Sequence, residues 1–434
     1  MSPPPHAASE SSASDAASTV RGRGTAVFAW CLYDWAYSAF NTIVSTFVIA
    51  TYFVRAVAAN PASGTAEWAT AQAIAGLLIA LLAAPLGAIA DYGGRRRSML
   101  AGATIIMVLA TAGLWFIHPT PSDALWALLL VAIATIAYEI ATVFYNAMLP
   151  DIAPPGRIGR ISGLAWGSGY VGGLICLGLC LVLLINPHPP LFGLDARQAE
   201  PVRAAALLAA AWLTLFSWPV LVAVPDRALR RPWRVAVRAG MRVLRTSIRH
   251  AAAQAGLFRF LIARMLYTDG LTTLFAFGGI YAAGTFGMDA RGVLLLGIGL
   301  NVTAGIGALA FAFLEDVFGS KPTILVALAA LTLLGAAVLV VHSITLFWIL
   351  ALGLGMFVGP AQSASRSLMA RIAPTEFRNA QFGLYALSGR VTGFIGPAAL
   401  GAVTAATGSQ RAGMAVIVLL LVTGGALLAA TRMR

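Results

Sequence analysis

Charge is scarce in this sequence and lysine almost absent. Only 10% of the 434 residues are charged, and of the 29 basic residues 28 are arginine, the exception being Lys321. An ordinary soluble domain carries about 25% charged residues, so the chain is not one. Cysteine is limited to Cys31, Cys176 and Cys180, each inside an apolar run and none in a CxxC pair, which excludes a disulfide framework and a zinc site. His6, His118, His188, His250 and His342 fall in tails, loops or span ends and form no metal cluster. No nucleophile–base pair emerges. The glycine-rich stretches lie inside apolar runs rather than after strands, so they form no nucleotide-binding loop. No enzyme, metal or cofactor is expected. Residues 1–24 have no apolar run and contain Glu10 and Asp15; they read as a disordered tail, not a signal peptide.

What is present is apolar surface. Hydrophobic residues make up 59% of the chain and the mean hydropathy is +0.84. A helix crosses a bilayer with about 20 predominantly apolar residues. Such runs occur at about 27–57, 68–90, 98–117, 124–148, 160–185, 203–223, 257–286, 291–315, 322–342, 345–370, 379–405 and 411–431. The expected fold is therefore an all-α membrane protein of twelve transmembrane helices.

The net charge of +13 would suggest nucleic acid in a soluble protein, but the loops explain it better. With the N-terminus inside, the inner segments carry 21 basic residues and the outer ones five, Arg55, Arg197, Arg203, Arg291 and Arg411. That bias predicts two cytoplasmic termini, in a bacterial inner (plasma) membrane. The longest inner connection, 224–256, holds arginines at 227, 230, 231, 234, 238, 242, 245 and 249, one helical stripe, with Trp233, Val237, Val243 and Leu244 elsewhere on the wheel. It reads as a basic amphipathic helix against anionic lipid at 227–249.

A repeat divides the chain at this loop. Ile152-Ala153-Pro154 recurs as Ile372-Ala373-Pro374, and at the same shift of 220 Gly163-Leu164, Ser168-Gly169 and Gly173 recur as Gly383-Leu384, Ser388-Gly389 and Gly393. Asp91-Tyr-Gly-Gly94-Arg-Arg96 is answered by Asp316-Val-Phe-Gly319-Ser-Lys321, and Leu32-Tyr33-Asp34 by Leu266-Tyr267-Thr268-Asp269. The expected units are a tail at 1–24, bundles at 25–223 and 257–434, and a linker at 224–256.

An ionisable residue inside a span is costly and needs a reason. Asp34, Glu139 and Asp269 are matched in number by Arg264, Arg366 and Arg390, which favours internal pairing. Asp34, Ser38, Asn41 and Ser45 form a stripe on the first span; Thr135, Glu139, Thr142 and Asn146 form one on the fourth. Asp269 falls near mid-span beside Thr272 and Thr273, while Arg264 is placed to snorkel toward the inner end. Gly359-Pro360 predicts a break in the tenth span that frees a backbone carbonyl, next to Gln362, Ser363, Ser365, Arg366 and Ser367. Arg366 then offers a fork for a substrate carboxylate, or else an ion pair with Glu139 or Asp269. Arg390 points away from the stripe Gln381, Tyr385, Ser388, Thr392 and reads equally as a binding group or a charge partner. Gly169/Gly173, Gly355/Gly359 and Gly389/Gly393 have the spacing for close helix packing.

Two six-helix halves, each with an Asp-x-x-Gly-x-[Arg/Lys] loop, resemble the major facilitator superfamily. Leu32-Tyr33-Asp34-Trp35-Ala36-Tyr37-Ser38-Ala39-Phe40, Tyr145 to Ile152 and Gly359 to Ser367 more narrowly resemble the family of the fungal autophagy-related vacuolar amino-acid effluxer and its bacterial relatives. The resemblance covers most of residues 27–405. It implies two pseudo-symmetric six-helix bundles, spans one and four on a central cavity, and a latch made by Asp91, Arg95 and Arg96 with a weaker copy at Asp316 and Lys321. The superfamily's antiporter motif Gly-Pro-x-x-Gly-Gly is met by Ser168-Gly169-Tyr170-Val171-Gly172-Gly173, without its proline, so the resemblance does not extend to antiport. The expected function is a monomeric secondary transporter moving a small, amino-acid-like solute by alternating access, with Asp34, Asn41, Glu139, Asn146, Asp269, Gln362, Arg366 and Arg390 binding substrate or coupling protons. The alternative is a lipid-handling protein, scaffold or receptor without solute flux.

Overall fold

The computed structural model describes residues 24–187, 189–224, 232–390 and 392–432. Apart from Gly24, the expected tail lies outside the described residues, as do Arg227, Arg230 and Arg231 of the basic stripe. Eleven described helices are long and apolar enough to cross a membrane, and Ile395–Thr407 is a shorter apolar helix. In chain order they are α1 (Gly24–Val57), α2 (Pro61–Gly93), α3 (Arg96–Gly113), α4 (Ala124–Ile152), α5 (Ile158–Cys180) and α6 (Glu200–Ala223). The connecting helix α7 (Trp233–Ala253) comes next. Then come α8 (Ala255–Phe286), α9 (Ala290–Phe318), α10 (Ser320–Val340), α11 (Ile344–Ile372), α12 (Arg378–Ser388), α13 (Ile395–Thr407) and α14 (Gln410–Ala429). No strand occurs among the described residues. The architecture is two pseudo-symmetric six-helix bundles, with α12 and α13 together making the eleventh span.

The halves meet along two seams, α5 on α9 and α2 on α12. Glycines permit both. A Cβ on Gly163 would lie 2.5 Å from the Cβ of Ala312, and one on Gly87 would collide with the backbone of Asn379. Gly169 and Gly173 pack on α1 at Ser38 and Thr42, and Gly355 and Gly359 on α9 at Thr303 and Ala304. Small residues let backbones approach where van der Waals packing holds helices together.

Two local expectations are corrected. The tenth span does not break at Gly359-Pro360, because α11 runs unbroken from Ile344 to Ile372 with Pro360 inside it. The carbonyl that Pro360 leaves free, that of Met356, sits where a Cβ on Gly307 would be, so a neighbouring backbone covers it and the helix stays continuous. The break falls in the eleventh span, between Ser388 and Ile395. Along the polar stripe of α1 Asp34 is buried, Ser38 and Ser45 are half-buried and Asn41 is exposed. A π-helical segment runs from Phe40 to Phe47, with wider turns than an α-helix.

Candidate functional site

At the end bearing both termini, each half grips the other through a carboxylate. Asp91, at the end of α2, accepts from the backbone N–H groups of Asn379 (3.1 Å) and Ala380 (2.9 Å) and from Asn379 Nδ2 (2.6 Å). Asp316, at the end of α9, accepts from the N–H groups of Gly159 (2.9 Å) and Arg160 (3.1 Å). Both carboxylates sit on the N-terminus of a facing helix, where unpaired N–H groups and the helix dipole favour negative charge. Arg96 Nη1 donates to Asp151 (2.7 Å) and to the Ala147 carbonyl (2.9 Å). Arg378 of the other half also donates to Asp151. Arg95 is half-buried at the start of α3. Lys321 is not a copy of these arginines: its Nζ donates to the carbonyls of Ala429 (3.0 Å) and Thr431 (2.6 Å). The reason is local, since α10 begins beside the end of α14 and the exposed carbonyls there attract a cation.

Further into the bundle, α11 presents Arg366 to the first half. Nη1 donates to Asp34 at 2.8 Å, Nε to Ser162 Oγ at 2.9 Å and Nη2 to the Ser162 carbonyl at 2.6 Å. Tyr145 also donates to Asp34, at 3.0 Å. The guanidinium lies 4.8 Å from the Trp30 ring and 5.7 Å from that of Trp166. Asp34 and Arg366 are each 2% exposed. The expected partners of Arg366, Glu139 or Asp269, are thus replaced by Asp34. A buried ion pair is stable only with its remaining donors satisfied, which Ser162 accomplishes here.

Glu139 pairs instead with Arg390, across the halves. Arg390 occupies the break after α12 and is exposed. Two residues of α8 border that break. Arg264 Nη1 reaches Ser388 Oγ at 2.8 Å and the Tyr385 carbonyl at the C-terminal end of α12, and its guanidinium covers the Tyr385 ring. It does not snorkel, because the Tyr385 carbonyl and the Ser388 hydroxyl hold its guanidinium within the bundle. Asp269 Oδ2 accepts from the N–H of Gly396 at 2.9 Å, in the first turn of α13. A cation therefore meets a helix C-terminus and an anion a helix N-terminus, each matched to its dipole. Asp269 is 3% exposed, its Oδ1 has no donor, and among the described residues it has no cationic partner.

The remaining expected residues are spread out. Asn41 is exposed and Gln362 half-buried; Asn146 is buried, its Oδ1 without a donor. Asp151, Ser162 and Arg378 were not singled out in the sequence, although Asp151 stands in the quoted Tyr145–Ile152 stretch and Arg378 among the inner basic residues. Glu315 was also missed. It is 1% exposed and accepts from Ser320 Oγ at 2.7 Å. The sequence signal was an acid doubled at Glu315-Asp316 where the first half has Ala90-Asp91.

Two like bundles, joined at one end by carboxylates on opposed helix N-termini, define a membrane transporter of the major facilitator type. The fold agrees with that of the proton:xylose symporter XylE bound to 6-bromo-6-deoxy-D-glucose, at TM-score 0.68 and 13% identity over 94% of this chain and 95% of that one. FucP in the outward conformation gives 0.70 and 13% over 94% and 99%. The chain belongs to the family described as Vacuole effluxer Atg22 like, whose profile matches residues 64–434. The uncharacterized MFS-type transporter YxiO of Bacillus subtilis (strain 168) is 28% identical over 92% of this chain and 93% of its own length. Autophagy-related protein 22 of Cryptococcus neoformans is 26% identical over 61% of this chain, and the match spans 48% of that longer protein. The relatives are transporters rather than enzymes, and this chain is a multi-pass membrane protein of that kind.

Proposed function

We propose that the protein moves a small carboxylate-bearing solute, amino-acid-like in chemistry, by proton-coupled alternating access. The observation that carries this reading is the Glu139–Arg390 pair. It joins the halves at mid-bundle, and its arginine is exposed in a helix break. A substrate carboxylate would take the guanidinium fork from Glu139, and the released Glu139 would receive an ammonium group. Arg366, whose three nitrogens are engaged by Asp34 and Ser162, holds the closed seam rather than the substrate. The terminus-bearing end, where Asp91, Asp316 and Arg96–Asp151–Arg378 join the halves, is a closed gate on the cytoplasmic side of an inner (plasma) membrane, as the arginine bias supports. Residues 25–223 and 257–434 rock against each other about the mid-bundle pair, in a monomer.

Asp269 is the proton carrier in this reading. Asp34 and Glu139 each face an arginine, whereas Asp269 faces the Gly396 N–H, with Thr273 Oγ1 beside the same glycine. Arg264, on its own helix, is engaged with Tyr385 and Ser388, and Arg390, in the neighbouring break, with Glu139. Protonation of Asp269 weakens the charge-assisted bond that anchors α13 and so acts on the segment carrying Arg390. Uptake of a labelled amino-acid panel by proteoliposomes, with and without an imposed pH gradient, is the test. Gradient-driven uptake of at least one amino acid, abolished in Asp269→Asn with equilibrium exchange retained, is the expected result. Full gradient-driven uptake by Asp269→Asn removes the coupling role. No uptake of any member by well-folded protein favours the lipid-handling alternative.

A further inference from the structure

Helix α7 has three faces with different surroundings. Ala236, Gly240, Ser247 and Ala251 are buried. On this face a Cβ on Gly240 would lie 2.8 Å from Ile89 Cγ1, and one on Gly93 would lie 3.1 Å from Ala236 Cβ, so α7 lies directly on α2 of the first half. Farther along, Gln381 Nε2 of α12 donates to the Ser247 carbonyl (3.2 Å) and Oγ (3.1 Å), and the His250 ring stands 5.9 Å from Phe377. The same face thus touches both sides of the α2–α12 seam. Gln381 directly follows the Asn379-Ala380 pair that Asp91 holds. The second face is apolar and uncovered: Trp233 is 50% exposed, Met241 52% and Ile248 47%, at spacings that share one stripe. Beside it runs the third face, with Arg234, Arg238, Arg242, Arg245 and Arg249 all exposed. No acidic residue occurs in α7.

We propose that α7 is a strap operated by the bilayer. Its apolar stripe and arginine face seat on anionic phospholipid headgroups of the adjacent leaflet, and the seated helix clamps α2 to α12. An exposed apolar stripe flanked by arginines is the arrangement of a helix lying in an anionic interface. The buried face makes this helix different from a plain anchor: whatever fixes α7 also fixes the seam under it. The proposal rests on the reading of the terminus-bearing end as a closed gate.

The test compares the full-length protein with an Arg234→Gln/Arg238→Gln/Arg242→Gln/Arg245→Gln/Arg249→Gln variant, in nanodiscs of phosphatidylcholine alone or mixed with phosphatidylglycerol. The readout is the distance distribution between spin labels at the ends of α2 and α12. Adding phosphatidylglycerol is expected to raise the closed-to-open ratio at least about fivefold, the lower end of ordinary coupling between sites. The expected effect in the variant is none. Gln381→Ala, with all five arginines kept, should bind the leaflet equally but lose most of the shift. Asp91→Asn serves as the control for the gate. If it leaves the distances unchanged, the closed-gate reading fails. If it opens the seam but phosphatidylglycerol shifts native protein and variant alike, or neither, the strap is refuted. A shift produced in phosphatidylcholine discs by soluble glycerophosphate would mean a free-anion site and would also overturn it.

Discussion

Asp91 and Asp316 hold equivalent backbone positions on opposite halves. Asp91 binds the N–H groups of Asn379 and Ala380, and Asp316 those of Gly159 and Arg160. Residues 159 and 160 become 379 and 380 under the shift of 220 that relates the repeats. The internal symmetry of the sequence is therefore also the symmetry of the seam: each half supplies one carboxylate and one helix N-terminus. Each contact includes two backbone N–H bonds to a carboxylate, and hydrogen bonds to a charged group are worth about 1.5–3 kcal/mol apiece.

Neutralising either acid should loosen the terminus-bearing end. In Asp91→Asn or Asp316→Asn, a single cysteine placed on the seam face of α2 or α5 should react with a water-soluble maleimide roughly tenfold faster than in the parent, equivalent to about 1.4 kcal/mol. The double variant should exceed either single one. Unchanged reactivity in both singles would mean that the carboxylates do not hold the seam.

The Asp34–Arg366 pair should behave as a buried pair. Arg366→Ala or Asp34→Ala strands the partner's charge and should cost about 3–5 kcal/mol, read as a large drop in the thermal midpoint in detergent. Asp34→Asn combined with Arg366→Gln should regain most of that loss. A double variant no more stable than the worse single would argue that the pair is not the unit.

Glu139 and Arg390 should be exchangeable in stability but not in transport. The swap Glu139→Arg/Arg390→Glu keeps an ion pair across the halves, so thermal stability should stay within about 1 kcal/mol of the parent, as for pairs with an exposed partner. Uptake should fall by at least about a hundredfold, because the carboxylate fork has moved to the other half. Retained uptake in the swapped protein would remove the pair from the substrate path.

Pro360 and Gly359 should separate cleanly. Since α11 is continuous through Pro360, Pro360→Ala should leave uptake within a factor of about three and stability unchanged or higher, the helix penalty of proline being about 3 kcal/mol. Gly359→Leu should destabilise strongly, because a Cβ there collides with the Ala304 carbonyl. Loss of uptake in a stable Pro360→Ala protein would restore a functional role to the proline.

The span pattern and repeat were legible because apolar periodicity and short motifs are local. So was Asp91, which stands in a recognisable loop and bonds to the opposite half. Pairing of the intramembrane charges was foreseen in kind but not in partner for Asp34–Arg366 and Glu139–Arg390, and it does not hold for Asp269 and Arg264, which bind helix ends instead. Asp34 and Arg366 are 332 residues apart, and Glu139 and Arg390 251, separations over which a single sequence carries no register. Pro360 drew attention and the eleventh span did not, although Gly393-Phe-Ile-Gly396-Pro397 is a dense group of helix breakers. Proline's effect depends on what covers the freed carbonyl: Gly307 does so for α11, while α8 supplies Arg264 and Asp269 to stabilise the two loose ends at Gly389–Phe394.

That break has a mechanical consequence. The portion before it, α12, packs on α2 of the opposite half, whereas the portion after it, α13, packs on α14 of its own half. An intact helix in this place would have to go with one half or the other, or snap hydrogen bonds each time they separate. With its ladder already interrupted, and both free ends held by side chains of one rigid neighbour, the eleventh span works as a joint. Its lower limb can swing with the seam while its upper limb stays with the outer shell. The two limbs are tied to α8 by Asp269 and Arg264 rather than to each other by a continuous helix.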